Sequence, residues 1–294
     1  QNQLTSLDLS ANTALGELQC SINSLTSLDL SANTALGSLQ IEHNQLTSLD
    51  VSNHTALTNL SAQNNSLTSL DLTNNAELQS LYIAENNLTS LDVSNNTVLQ
   101  GFSCFSNQLT SLDVTNNIAL SYFQLHGNQL TSLDLSSNTA LTQVAIEGNQ
   151  LIYLNMKNGL TDQLTQFKAG GNSLTCIETL DPDYATANWT NANDNIDEGV
   201  SFDVIFGAEA RTHWYVAPTG SDASGSGTLA STLSSIQTAI NATTVGDTVS
   251  VAAGTYVENI NFSGKNIAAI GEDKATTIIH GNQGGSVVTF ANNE

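Results

Sequence analysis

A 21-residue repeat runs through residues 2–177 and limits what this chain can fold into. Each copy reads N-x-L-T-S-L-D-L-S-x-N-T-A-L-x-x-L-x-[I/C/A/L]-x-x, and its first asparagine marks the period. A repeat of this length indicates a solenoid in which each copy forms one coil. The marker residues are Asn2, Asn23, Asn44, Asn65, Asn86, Asn107, Asn128 and Asn149, followed after a longer spacing by Asn172.

Apolar residues recur at six fixed offsets in every coil. They form two L-x-x-L-x-L groups, which predict two short strands per coil joined by tight corners, with all six side chains pointing inward. One coil buries too little to offset the entropy of ordering its backbone, so neighbouring coils must stack. In the fourth coil the six are Leu67, Leu70, Leu72, Leu78, Leu81 and Ile83.

Two rows of asparagine are expected at the corners of the coils. A buried corner leaves backbone N–H and C=O groups unpaired, and a carboxamide can both donate to and accept from them. The marker row is predicted to do this at one corner and a second row at the other. The second row contains Asn12, Asn33, Asn75, Asn96, Asn117 and Asn138, with His54 and Gly159 departing from it.

The segment Leu15-x-x-Leu18-x-Cys20-x-x-Asn23-x-Leu25 resembles the motif of bacterial leucine-rich repeat (LRR) proteins of the 21-residue class. Internalin J-like proteins and LRR surface proteins of type IX-secreting bacteria are similar to it. The resemblance covers residues 1–177 and implies an all-β LRR solenoid with two short parallel sheets. A fold of this kind does not by itself specify a function.

The charge balance excludes several kinds of partner. A net charge of −22, with 27 acidic residues against 5 lysines and arginines, disfavours nucleic acid and anionic membrane surfaces. No run of 18 apolar residues is present, so no membrane insertion is expected. Cys20 and Cys104 lie four coils apart, too far for a disulfide, and all three cysteines are expected to be free.

The sequence opens within a repeat and contains no signal peptide. We interpret the chain as a mature or truncated fragment of a longer protein. With the resemblance above, this favours a secreted or cell-surface protein. Nothing in the sequence indicates an oligomeric state.

One outer face of the array varies from coil to coil, whereas the other is monotonous. Tyr82, Phe105 and Tyr122 lie on consecutive coils of the variable face and are predicted to form one aromatic patch, flanked by His126 and Glu85. In the family that the repeat resembles, this surface binds ligands; the alternative is drift on an unconstrained solvent face. The candidate ligand-binding residues are Glu42, His43, Gln63, Tyr82, Glu85, Phe105, Tyr122, Gln124, His126 and Glu147.

The monotonous face carries a row of aspartates about 4.8 Å apart, which should repel one another. Neighbouring Ser and Thr hydroxyls are expected to compensate, and bound calcium is the alternative. The flat array of Thr and Ser on this face also suggests an ice-binding surface, which the charged aspartate row through its middle disfavours. The calcium candidates are Asp50, Asp71, Asp92 and Asp113, and no other cofactor is expected.

The sequence changes character after the array. Residues 178–210 are predicted to form a cap and linker, in which Leu180, Tyr184 and Trp189 fold back over the end of the core. Residues 211–294 resemble the cap helix and first coils of a right-handed parallel β-helix of the pectin-lyase-like class. The resemblance rests on G-D-T-V-x-V-x-x-G-T-Y-x-E-x-I at 246–260 and on a short helical pattern around Ile236 and Ile240.

Residue types for catalysis are not arranged in any recognisable pattern, so these residues are not expected to form an enzyme active site. The function that the sequence favours is recognition of a protein or glycan at a cell surface. Two alternatives stay open. One is an accessory targeting module of a β-helix polysaccharide-active enzyme with catalytic coils beyond residue 294, and the other is a structural stalk.

Overall fold

A computed structural model describes residues 2–205, 212–281 and 286–289. The chain divides into two compact units. The first, which we call the repeat unit, contains Gln1–Ile177 and Tyr184–Ser201. The second, the C-terminal unit, contains Glu178–Asp183 and Phe202–Glu294.

One strand from each coil builds an eight-stranded parallel sheet, which we call the variable sheet. Equivalent residues pair directly, so Leu60 lies beside Leu81 and Leu81 beside Phe102. The strand order, β1-β2-β3-β4-β5-β6-β8-β10, follows the chain because every coil advances by one strand. The strands are β1 Glu17–Gln19, β2 Ser38–Gln40, β3 Asn59–Ser61, β4 Ser80–Tyr82, β5 Gly101–Ser103, β6 Tyr122–Gln124, β8 Gln143–Ala145 and β10 Gln166–Lys168.

The opposite side forms a regular sheet only in the last coils, which corrects the expectation of two strands in every coil. Its strands are β7 Ser132–Asp134, β9 Tyr153–Asn155, β11 Cys176–Glu178 and β12 Ser201–Asp203. Leu133 and Leu154, at the centres of β7 and β9, are buried, whereas Leu91 and Leu112 at the same offset stay partly exposed. Leu49 and Leu70, at the same offset, are buried with 8% exposure, and the described residues of the earlier coils have no strand on this side.

The six inward offsets build one continuous apolar core. In the fourth coil Leu67, Leu78, Leu81 and Ile83 are fully buried. Phe102 and Phe123 fill the middle of the array, with ring centroids 5.7 Å apart. The burial that the residue offsets predict is thus confirmed in this coil.

The marker row satisfies corner backbone as both donor and acceptor, as predicted, whereas the second row only donates. In the part of the chain that the structure describes, the buried Oδ1 atoms of the second row have no hydrogen-bond partner at Asn33, Asn75, Asn96, Asn117 and Asn138. The Asn44 carboxamide accepts from Leu25 N at 3.0 Å and donates to the carbonyls of Cys20 at 3.1 Å and Ile41 at 3.0 Å. In the second row, Asn75 donates to the carbonyls of Val51 and His54. Each marker side chain thereby joins two coils.

Residues after the last coil cover the end of the array. A short helix, α1 Pro182–Asn188, is followed by a 3-10 helix, Asn191–Asn193. Within the repeat unit, the Trp189 ring stacks on Phe167 with centroids 4.0 Å apart. Asn195 and Asp197 bind backbone groups of the last coil, including Phe167 O and Gly171 N. These two side chains therefore serve the array as caps.

The described residues of the C-terminal unit form three narrow parallel sheets and one complete helix. The first sheet joins β13 His213–Val216, β14 Thr248–Val251 and β17 Ala268–Gly271. The others pair β15 Gly254–Tyr256 with β18 Thr277–Ile279, and β16 Ile260–Asn261 with β19 Val288–Thr289. Strands from successive passes of the chain thus stack in register, and membership of the pectin-lyase-like class stays a prediction.

Charged side chains hold both ends of the helix α2 Ile236–Ala242. The Glu258 carboxylate accepts from Ile236 N at 2.9 Å and Gln237 N at 2.8 Å. Lys265 Nζ donates to the carbonyls of Ile240, Asn241 and Thr243 at 2.7–3.0 Å. Desolvation lowers the pKa of Lys265. Lys265 is therefore a helix cap.

Candidate functional site

The variable sheet presents three columns of outward side chains. In each strand the middle residue is buried and its two neighbours face outward, as in β4 and β6. A third column lies two residues after each strand and contains Glu42, Gln63, Phe105, His126 and Glu147, all partly exposed. The columns run across the sheet because neighbouring strands pair residue for residue.

Two tyrosines, Tyr82 and Tyr122, lie on the strands that flank Gly101 in the centre of the sheet. Gly101 pairs with Tyr122 on one side, and a Cβ at Gly101 would lie only 3.0 Å from Tyr82 Oη. Burial raises the pKa of the Tyr122 phenol, and nearby Tyr82 adds to the shift. Gly101 therefore makes room for the Tyr82 ring beside Tyr122. Its signal in the sequence is a glycine where other coils have Glu, Ser, Asn, Tyr or Gln.

A stacked pair of rings lies in the third column. Phe105 and His126 stack with centroids 4.3 Å apart and planes inclined by 10°. Glu147 is the next residue in the same column. His126 Nδ1 and Glu147 Oε2 are shielded from solvent and have no hydrogen-bond partner among the described residues.

The three aromatic residues expected to form one patch lie in different columns of the variable sheet. Tyr122, Tyr82 and Phe105 occupy the first, second and third columns respectively, so they are offset along the strands as well as between coils. A position on consecutive coils is not enough to place side chains in one row, because the residues must also share a column. All three rings nevertheless lie on the variable sheet and none is in the core.

The remaining candidates border these pairs. His43 and Glu85 directly precede marker asparagines and adopt left-handed backbone conformations, with φ of 55° and 54°. The Glu85 carboxylate accepts a hydrogen bond from the Asn64 side chain. Gln124 accepts a long hydrogen bond from Ser103 Oγ at 3.4 Å. Ligand binding by the ten candidates stays a prediction.

The aspartate row is satisfied by its own coils. Asp50 Oδ1 accepts from Ser52 N at 2.9 Å and from Ser52 Oγ at 2.6 Å, and Asp113 does the same with Thr115. These hydrogen bonds lower the pKa of each of the four calcium candidates, Asp50, Asp71, Asp92 and Asp113. Within residues 2–205, 212–281 and 286–289, no group of three His, Cys, Asp or Glu is placed to hold a metal. Calcium binding stays a prediction.

Cys20, Cys104 and Cys176 form no disulfide bond in the part of the chain that the structure describes. Cys20 and Cys104 are buried, and Cys176 is partly exposed. Burial raises the pKa of Cys104 to about 12, which keeps it protonated and unreactive. Nucleophilic chemistry is therefore not expected at Cys104.

Known structures show what the array is similar to. The internalin InlF of Listeria monocytogenes is 26% identical over 59% of this chain and 54% of its own, with a TM-score of 0.54. The LRR protein LIC12759 of Leptospira interrogans is 21% identical over 69% of this chain and 53% of its own, with a TM-score of 0.54. The repeat unit has the leucine-rich repeat fold.

A third LRR structure extends the likeness to plants. The ectodomain of the membrane receptor kinase GASSHO1/SCHENGEN3 from Arabidopsis thaliana, in complex with CASPARIAN STRIP INTEGRITY FACTOR 2, is 21% identical. The match covers 69% of this chain and 26% of the receptor, with a TM-score of 0.57. This chain spans about half the length of the two bacterial LRR structures.

No protein-family model matches the chain, and neither does a curated protein sequence. In the part of the chain that the structure describes, no helix has the length and apolar character of a transmembrane span.

Proposed function

We propose that the repeat unit is a binding module that recognises a protein partner through the variable sheet. The observation that carries the proposal is the placement of four partly exposed rings on this sheet: Tyr82, Tyr122 and the stacked pair Phe105 and His126. Aromatic side chains are enriched in protein interfaces, where they supply large contact areas at low entropic cost. The LRR receptor ectodomain above, solved in complex with its partner, supports the same use of the fold.

The proposal extends to location and to the second unit. A secreted or surface-exposed protein agrees with the acidic composition and with the ectodomain among the LRR neighbours. The C-terminal unit is then the start of a parallel β-helix, supported by its three stacked parallel sheets and by α2. In this view the repeat unit performs recognition rather than catalysis.

Selection against displayed random 12-residue peptides tests the proposal, with a glycan array in parallel. We expect the wild-type chain to enrich peptides that fail to bind a Tyr82→Ala/Phe105→Ala/Tyr122→Ala variant. Tyr153→Ala, which removes a partly exposed tyrosine from the opposite sheet, is the matched control and should retain binding. Unchanged thermal melting would show that the variants fold.

Two results would contradict the proposal. Peptides that bind wild type and triple variant equally would place recognition elsewhere. Binding on the glycan array alone, lost in the triple variant, would replace the protein partner with a carbohydrate.

A further inference from the structure

The repeat unit carries almost no positive charge. No lysine or arginine precedes Lys157, so seven coils contain only acidic and neutral side chains apart from three histidines. Near the far edge of the variable sheet, Lys168 Nζ lies 3.1 Å from Asp194 Oδ2 and is thus paired within the unit. The centre of the sheet has no cation of its own.

Carboxylates on the variable sheet therefore lack internal counter-charges. Glu42 and Glu147 lie in the third column, and each has one oxygen that is shielded from solvent and without a hydrogen-bond donor. Both side chains are partly exposed, so a cationic group of a partner can reach them and supply the missing counter-charge. This situation differs from the aspartate row, where Ser and Thr groups supply donors.

Ring faces lie between the two carboxylates. Phe105 and His126 are adjacent in the column that also contains Glu42 and Glu147. Guanidinium groups stack on aromatic faces and bind carboxylates through two parallel hydrogen bonds, whereas a lysine ammonium binds as a point charge. Such a column suits arginine better than lysine.

We infer that the variable sheet binds an extended, arginine-bearing segment of a protein partner, lying along the third column from Glu42 to Glu147. This inference rests on the proposed function and adds the chemistry of the partner. Five coil steps separate the two glutamates, which is about 24 Å, or roughly seven residues of extended chain. Neutral glycans offer no charge complementary to these carboxylates, and polyanions would be repelled.

Binding of four synthetic 12-residue peptides to the whole chain tests this. The peptides share a Gly/Ser frame and carry four arginines, four lysines, four glutamines or four glutamates. We expect the arginine peptide to bind most tightly, the lysine peptide about threefold more weakly, and the other two not measurably. Affinity for arginine should fall at least tenfold between about 50 and 500 mM salt, because the attraction is between charges.

Variants separate the column from general charge. Glu42→Gln/Glu147→Gln should weaken arginine-peptide binding about fivefold or more. Glu77→Gln/Asp162→Asn removes the same charge from exposed positions away from the variable sheet and should have less than about a twofold effect. Melting of each variant confirms folding.

Several results would overturn the inference. Arginine binding that is absent, or that both double variants weaken equally, would leave only nonspecific attraction to an acidic protein. Neutral or acidic peptides selected on the variable sheet and lost with Tyr82, Phe105 and Tyr122 would refute the arginine partner while leaving the proposed function intact. Stronger displacement by a polyamine or an amino-sugar oligomer than by free arginine peptide would assign the column to a small cation.

Discussion

The residue before each marker asparagine, from Asn23 onward, has a left-handed backbone conformation. Its φ is positive in coil after coil, from 57° at Ile22 to 52° at Ser106, and glycine takes over at Gly127, Gly148 and Gly171. A side chain in the left-handed region costs about 1–2 kcal/mol, which glycine avoids. The array therefore contains the same corner with and without strain.

Replacing Ser106 by glycine should stabilise the repeat unit. Relief of the left-handed conformation exceeds the extra entropy that glycine loses on folding, and we expect a gain of up to about 1 kcal/mol in the free energy of unfolding. Chemical denaturation of the S106G variant measures it. The reciprocal change Gly127→Ala should destabilise by a similar amount, and equal stability of both variants with wild type would contradict the argument.

Removing a marker carboxamide should lower the free energy of unfolding far more than removing the side chain next to it. Asn86 accepts from Leu67 N at 2.9 Å and donates to the carbonyls of Ala62 and Ile83. Asn86→Ala leaves these buried groups unpaired, and we expect a loss of about 2–4 kcal/mol by denaturation. Asn87→Ala, at the exposed next position, should change stability by less than about 0.5 kcal/mol.

Sequence reasoning at this scale succeeded where the chemistry depends only on the offset within the repeat. Burial of Leu67 and Ile83 and the corner contacts of Asn44 follow from their offsets. The contact between Tyr82 and Gly101 could not be predicted, because it depends on the direction in which one phenol leans across a strand. Left-handed conformations at Ile22 and His43 were missed because neither residue type signals one.

Among the elements, α2 depends on two distant charges. Glu258 binds backbone N–H groups of its first turn, and Lys265 binds carbonyls of its last turn. Both charges also oppose the helix dipole. Because these partners lie more than 20 residues away, the helix could be predicted from its periodicity but its caps could not.

Lys265→Met should destabilise the C-terminal unit. Methionine keeps most of the aliphatic stem but leaves the carbonyls of Ile240, Asn241 and Thr243 without their donor, and we expect a loss of about 1–3 kcal/mol in the free energy of unfolding. Lys274→Met, at an exposed position, is the charge-matched control. If both variants melted at the wild-type temperature, the capping role of Lys265 would be refuted.

For the molecule as a whole, the aspartate row makes the repeat unit sensitive to acid. Hydrogen bonds from Ser and Thr lower the pKa of Asp29, Asp50, Asp71 and Asp92 below the ordinary value of 3.8. A carboxyl with a lowered pKa in the folded state contributes stability above its unfolded pKa and loses it as the pH falls through the folded pKa.

We therefore expect the melting temperature of the repeat unit to fall progressively below about pH 4 and to change little between about pH 5 and 7. Calorimetry across this range measures it. Ser52→Ala removes one of the hydroxyl donors and should reduce the acid-dependent part of the change. A melting temperature that rose below about pH 4 would show that repulsion along the row outweighs its hydrogen bonds.

The two units differ in how far sequence could specify them. In the repeat unit, eight similar copies share one pattern, so a single departure does not hide it. The register of the variable sheet therefore followed directly from the 21-residue period. A strand was predicted on the opposite side of every coil, but it forms only in the last ones. Leu91 and Leu112 have the same residue type and offset as Leu133 but lie less deeply in the core. The C-terminal unit has no comparable sequence repeat to predict its register from, and contacts such as that of Lys265 with α2 determine the local structure.

The chain has two tryptophans, one in each unit. Trp189 stacks on Phe167 at the end of the array, whereas Trp214 is fully buried in the other unit and donates to Asp247 at 3.1 Å. A Trp189→Phe chain thus emits indole fluorescence from the C-terminal unit alone, and Trp214→Phe from the repeat unit alone. The order in which the two units unfold can be followed optically in the intact polypeptide, without cutting it.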